Sequence, residues 1–112
     1  MNTIPDIISS QRELFKSQKT KDLDYRLSLL RALKVEILAN EQAVIGALNK
    51  DFKKSEFEGY LSEFGIVISE LNFAIKNLKR WAKPKRIKSS LLTFPSKDYL
   101  YPEPFGTALI IA

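Results

Sequence analysis

Apolar residues recur along the first two-thirds of the chain at three- and four-residue steps, the spacing of one helix face. Ile4, Ile7, Ile8, Leu14 and Phe15 outline a first helix. Thr3, with Pro5 and Asp6 after it, is a start signal, because a threonine hydroxyl and a carboxylate three residues on satisfy the first free amides. The polar stretch Ser17 to Lys21 breaks the pattern. A second helix begins near Asp22, whose side chain can cap exposed amides, and carries Leu23, Leu27, Leu30, Leu33 and Ile37. Asn40 and Glu41 interrupt it. A shorter helical piece to about Lys50 turns Val44, Ile45 and Leu48 inward, with Gly46 inside it at a propensity cost of about 1 kcal/mol.

The third long helix has the strongest pattern. Ser55 to Glu58 reads S-x-x-E, a capping box. Phe57, Leu61, Phe64, Ile68, Leu71, Ile75 and Leu78 follow in alternating steps of four and three, which predicts one continuous packing seam. This stripe reads as core rather than as a partner-binding zipper, since no ordered flanking charges accompany it. Pro84 ends the helix, and Lys79, Arg80 and Lys83 lie in its last turns, where the helix dipole favours positive charge. Ile87 to Thr93 reads as an irregular connector. Tyr99 to Tyr101 has strand composition, Pro102 to Gly106 supplies turn residues, and Thr107 to Ile111 reads as a second strand, apolar on both faces. The fold class expected is α+β: helices over residues 1–83, a basic irregular connector over 84–98, and a strand pair over 99–112.

Composition narrows the chemistry. The 112 residues contain neither cysteine nor histidine, which excludes disulfides, thiolate metal sites, cysteine nucleophiles and imidazole-based triads within them. The net charge of +5 is concentrated. Seven basic residues (Lys76, Lys79, Arg80, Lys83, Lys85, Arg86 and Lys88) lie between Lys76 and Lys88 without an acidic one, which leaves 11 of the 18 basic residues against 13 acidic residues elsewhere. A basic patch, rather than a basic protein, needs explaining. The first ten residues carry no signal-peptide pattern, and the longest apolar run, Ala108 to Ala112, is far short of the roughly 20 residues of a membrane helix. An apolar run at that place reads as a buried strand cut in mid-course.

Three candidate sites follow from the residues. The basic segment with Trp81 in its middle has the composition of a nucleic-acid contact, since cations neutralise phosphate and an aromatic ring stacks on a base. The plainer reading is a solvated helix end and connector. Glu63 with Glu70, and Glu56 with Glu58, are paired carboxylates, but acid/base work requires a desolvated pocket and these positions read as helix surface. Gly46, Gly59, Gly65 and Gly106 are isolated, so no phosphate loop exists.

Larger motifs resemble a known family. The runs Lys54-Ser55-Glu56-Phe57-Glu58-Gly59-Tyr60, Leu78-Lys79-Arg80-Trp81-Ala82-Lys83-Pro84-Lys85-Arg86 and Tyr99-Leu100-Tyr101-Pro102-Glu103-Pro104-Phe105-Gly106 before Leu109-Ile110-Ile111 resemble, in order and spacing, the amino-terminal region of class 3 aldehyde dehydrogenases. Arg26 to Leu33 and Leu48-Asn49-Lys50-Asp51-Phe52 also look like that family, so the resemblance covers nearly the whole chain and is weakest before about Phe15. It implies an NAD- or NADP-dependent oxidation of aldehydes to carboxylates through a cysteine thiohemiacetal and thioester, with a glutamate activating water. It also implies helices packed outside a Rossmann-type cofactor domain, a cytoplasmic homodimer, and a Pro-Trp-Asn-Tyr-Pro-like motif following the strand pair. In the family the cysteine and glutamate lie further along. No catalytic, cofactor-binding or metal residue is therefore assigned here, and Tyr101 to Gly106 is given the role of shaping a turn. The expected function is that of an inactive structural amino-terminal fragment of such an enzyme, with aldehyde and nicotinamide cofactor as partners of the parent, no nucleic acid, and no membrane segment in this region. The alternative is a small basic helical module binding nucleic acid through Lys76 to Lys88.

Overall fold

The computed structural model describes residues 3–111. Its elements run α1 (Ile4–Lys16), a 3-10 turn (Lys19–Lys21), α2 (Leu23–Ala39), α3 (Glu41–Phe52), α4 (Glu56–Gly59), a π turn (Tyr60–Phe64), α5 (Gly65–Trp81), β1 (Lys85–Ile87), a second 3-10 turn (Leu91–Thr93) and β2 (Asp98–Leu100). They are organised as two units, one of residues 1–25 with 79–112 and the other of residues 26–78. The expected α+β composition, helices followed by a two-stranded antiparallel sheet, is what the chain adopts.

Local chemistry explains the helix starts. At α1, Thr3 Oγ1 accepts from the Asp6 amide while Asp6 Oδ2 accepts from the Thr3 amide at 2.9 Å. The Thr3 hydroxyl and amide both stabilise the ionised form, holding the Asp6 carboxyl below its ordinary value. Asp22 Oδ1 accepts from the amides of Asp24 and Tyr25 and so opens α2. Ser55 and Glu58 form the predicted capping box at α4. Asn40 serves the helix before it: its Nδ2 donates to Glu36 O at 2.8 Å, closing α2. α3 runs to Phe52, two residues beyond the expected end, and stops where Lys53 takes a left-handed conformation at φ 57°.

The predicted continuous seam is interrupted. Between α4 and α5 the Gly65 amide bonds to Tyr60 O, a five-residue step, so the helix takes in one extra residue. At 3.6 residues per turn this rotates the apolar stripe by about 100°. Phe64 is consequently 3% exposed, whereas Phe57, one seam step before the insertion, is 72% exposed and Leu61 also faces solvent. Ile68, Leu71, Ile75 and Leu78 are half-buried. A Cβ on Gly65 would stand 3.0 Å from Tyr60 O, so the missing side chain gives the π turn its room. On the other side of the insertion, Gly59 is buried against Ile45 and Leu48 of α3.

The buried apolar core among the described residues is Leu27, Ile45 and Phe64, with Asn77 the buried polar residue. Asn77 Nδ2 donates to Phe73 O at 2.8 Å, one turn back, which gives its buried amino group a partner within its own helix. α2 carries more apolar surface than it buries. Leu23, Leu30 and Ile37 flank buried Leu27 at half-burial, while Leu29 and Leu33 to one side and Val35 and Leu38 to the other remain exposed.

The strand pairing differs from expectation. Tyr99 and Leu100 belong to β2, but its partner is β1, with Lys85 opposite Leu100, Arg86 opposite Tyr99 and Ile87 opposite Asp98. The partner strand thus comes from the stretch read as connector. A three-residue run with two cations carries no alternation signal, so its pairing is set by backbone ladder bonds alone. Thr107 to Ile111 forms no strand among the described residues, and Ala112 lies outside them. An isolated apolar segment with no ladder partner has no means of satisfying its amides as a strand. No helix among the described residues is long and apolar enough to cross a membrane.

Candidate functional site

The basic segment is divided among three elements. Lys76, Lys79 and Arg80 occupy the end of α5, Lys83 the turn after it, Lys85 and Arg86 strand β1, and Lys88 the start of the hairpin loop. All seven are exposed, and Lys79 Nζ is paired with Asp24 Oδ1 at 2.7 Å. Trp81 is the last residue of α5 and is partly exposed. The cations therefore do not converge on one depression, except where the hairpin loop folds back. There Arg86, Lys88 and Lys97 line an open groove of about 590 Å³ whose wall includes Phe94 and Pro95.

The loop between β1 and β2 is ordered by its own hydroxyls. Ser90 Oγ accepts from the Leu92 amide, Thr93 Oγ1 donates to Ser90 O at 3.0 Å, and Ser89 Oγ donates to Ser96 O across the loop base at 3.0 Å. The Phe94–Pro95 peptide is cis. Leu91, Leu92 and Phe94 project from this turn at 93, 97 and 82% exposure.

The paired carboxylates do not form a catalytic pair. Glu58 is committed to the capping box, Glu63 pairs with Lys54, and Glu70 is exposed. Glu56 and Glu41 share a shallow groove with Ile45, Phe57 and Tyr60. Glu56 is solvated, so the desolvation that turns a carboxylate into a general acid is missing there. Among the described residues no group of three or more His, Cys, Asp or Glu is placed to hold a metal ion.

Tyr101 to Gly106 is an exposed stretch without regular structure, with a bend at Gly106. Gly106 adopts φ 142°, a conformation that favours glycine, and Glu103 reaches back to Lys21 Nζ at 2.9 Å. The Tyr99 and Tyr101 rings contact each other at 6.3 Å between centroids. Arg12, Phe15 and Lys16 of α1 line a groove with Phe105 to Ala108. Glu103 thus makes a surface pair, and the apolar side chains Tyr101 and Phe105 beside it are exposed. Apart from the pairing of β1 with β2, sequence patterns miss two features, the π turn at Tyr60–Phe64 and buried Asn77. Gly65 signals the first only in hindsight, and nothing signals the second.

No family model matches the chain. Individual relatives match along its whole length. The 4,4'-diaponeurosporen-aldehyde dehydrogenase of Staphylococcus aureus is 38% identical over 112 residues, covering all of this chain and 24% of that protein. The dimeric NADP-preferring aldehyde dehydrogenase of Canis lupus familiaris is 33% identical over 111 residues, 99% of this chain and 24% of its own length. A solved structure described as the substrate-bound state of Staphylococcus aureus AldH superimposes with a TM-score of 0.87 at 35% identity, over 93% of this chain and 23% of that one. The chain spans about a quarter of the length of these relatives. The 112 residues are homologous, along their whole length, to the amino-terminal region of class 3 aldehyde dehydrogenases, the family their motifs resemble.

Proposed function

We propose that this chain serves as the amino-terminal structural segment of an NAD(P)-dependent aldehyde dehydrogenase that converts aldehydes to carboxylates in the cytoplasm as a homodimer. One observation carries the reading: the chain matches a quarter of these enzymes from end to end while leaving its own apolar faces uncovered. A helix that is apolar on more than one side is stable when both sides are covered. α2, with Leu29, Leu33, Val35 and Leu38 in solvent, and residues Leu109 to Ile111 are surfaces of that kind. In this reading the helices of residues 1–83 form an outer layer, and residues 99–112 lead into the cofactor-binding part of the enzyme. The description of the dog relative as dimeric and NADP-preferring supports the dimer and the nicotinamide cofactor.

In this reading the catalytic thiolate and the water-activating glutamate of the family belong to later parts of the enzyme, and these 112 residues contain no cysteine. The 112 residues by themselves are therefore expected to be inactive. Purified protein, mixed with a short aliphatic or aromatic aldehyde and either NAD or NADP, should form no reduced cofactor above the blank and should bind a hydrophobic dye. Aldehyde-dependent cofactor reduction by the chain alone would refute the structural role.

A further inference from the structure

We infer that Glu103 is a positioning residue of the enzyme: paired with Lys21, it sets the direction in which residues 107–111 run toward the cofactor-binding part. The inference rests on the reading given above, that residues 99–112 lead into that part. Glu103 acts through the chain rather than on the reacting atoms. The first support is stiffness. Glu103 stands between Pro102 and Pro104. Each proline ring fixes its own φ and biases the residue before it, Tyr101 or Glu103, toward extended backbone. Residues 101–105 accordingly run without a turn, and the bend comes at Gly106, where φ is 142°. A contact in the middle of such a strut aims its whole length, whereas in a flexible loop it would hold one residue.

The second support is the anchor. Lys21 closes the 3-10 turn: its own amide donates to Gln18 O at 2.9 Å, and the amide after it, of Asp22, donates to Lys19 O at 3.3 Å. Its backbone is thus held from both sides, and its Nζ meets Glu103 Oε2 at 2.9 Å. Both residues belong to the unit of residues 1–25 with 79–112, so the pair ties together the two stretches of chain that make it. The third support is the allocation of charge. Asp22 is occupied in capping α2, and Asp24 Oδ1 is paired with Lys79. Glu103 is the only acidic residue from Tyr99 to Ala112. Lys21 therefore selects one point on the strut. A solvated pair of this kind adds little to stability, and it can bias the directions of the strut by no more than its own interaction free energy. The signature is a modest loss of cofactor binding without a loss of folding.

The test places residues 1–112 in the Staphylococcus aureus 4,4'-diaponeurosporen-aldehyde dehydrogenase, in place of its matching quarter, and follows aldehyde-dependent reduction of the nicotinamide cofactor. Lys21→Glu and Glu103→Lys should each raise the cofactor KM about fivefold, with kcat changed less than about twofold and the unfolding midpoint unmoved. The exchanged pair Lys21→Glu/Glu103→Lys should return to within about twofold of the unsubstituted chimera, because the attraction forms again with its signs reversed. Glu103→Gln removes the charge and keeps the shape; its KM should rise about threefold, which keeps the test decisive if a reversed charge prevents folding. Lys79→Gln, at the other ion pair of this unit and off the strut, should keep the cofactor KM. The inference is overturned if the single variants keep the cofactor KM, if the exchanged pair is as impaired as they are, or if Lys79→Gln raises KM as much. A lowered unfolding midpoint with KM unchanged also overturns it, since that marks a merely structural pair. An unsubstituted chimera that folds without aldehyde-dependent reduction overturns the underlying reading and this inference with it; an active one with any of the other results overturns this inference alone.

Discussion

Replacing each of three glycines by alanine separates the π turn from an ordinary helix. Alanine in place of glycine inside a helix gains about 1 kcal/mol from propensity when nothing obstructs the new methyl group. Gly46 in α3 has nothing within 4 Å of an added Cβ, so Gly46→Ala should show that gain. Gly59→Ala should come close to it, since the nearest atom, Leu48 Cδ1, would lie 3.6 Å away in ordinary contact. At Gly65 the added Cβ would meet Tyr60 O at 3.0 Å, the carbonyl that accepts the five-residue bond of the turn. Forcing a methyl into a filled site costs about 1–3 kcal/mol, which offsets the propensity gain and leaves Gly65→Ala neutral to about 2 kcal/mol destabilised. The gap between Gly46→Ala and Gly65→Ala should therefore be at least about 1 kcal/mol, readable in urea unfolding followed by far-ultraviolet circular dichroism. If Gly65→Ala stabilises as much as Gly46→Ala, the segment is a regular α-helix and the explanation for exposed Phe57 and Leu61 fails.

Other outcomes follow from the same geometry. Phe64→Ala should destabilise by about 3 kcal/mol or more, whereas Phe57→Ala, a seam position displaced by the turn, should stay within about 0.5 kcal/mol; equal losses in denaturant titrations would restore the unbroken seam. Ser55→Ala should cost about 1 kcal/mol by removing the hydroxyl that caps α4, and a loss below about 0.3 kcal/mol would show the box to be idle. Asp6 titrates below its ordinary value of 3.8 in the folded chain, so its capping contribution is complete above that value. The contribution disappears as pH falls through the lowered folded value. The Thr3 and Asp6 amide resonances should titrate there, and Asp6→Asn should abolish the transition; a titration at or above the ordinary value would contradict the bond pattern. Lys79→Gln should change stability by less than about 0.5 kcal/mol, since its pair with Asp24 is solvated, and a larger loss would mean the bridge organises the end of α5.

The features legible in the sequence are those decided within four residues. Thr3 with Asp6, Asp22 with the amides after it, and Ser55 with Glu58 announce helix starts because the capping chemistry is local. Helix existence follows from the apolar period for the same reason. The π turn escapes that logic: Phe57 to Leu78 reads as an unbroken seam, and only the contact of Gly65 with the Tyr60 carbonyl breaks it. The partner of β2 escapes it too. Lys85, Arg86 and Ile87 look like a charged linker, and their pairing rests on backbone bonds to residues 98–100. Thr107 to Ile111 has the composition of a strand but forms none among the described residues, because composition does not supply a ladder. The basic segment is visible as a charge run, yet its grouping under an apolar tip depends on how the loop folds, which a count of lysines does not contain. Family resemblance reached further than periodicity, since ordered motifs spread along the chain hold information that no single window does.

The central claim, that these residues are a working amino-terminal segment of an aldehyde dehydrogenase, is tested most directly by exchange. A chimera would carry residues 1–112 in place of the matching quarter of the Staphylococcus aureus 4,4'-diaponeurosporen-aldehyde dehydrogenase. It should be soluble, should elute at the same oligomeric size as the parent enzyme, and should reduce its nicotinamide cofactor only when aldehyde is present. A chimera that folds and assembles like the parent yet shows no aldehyde-dependent cofactor reduction would contradict the account.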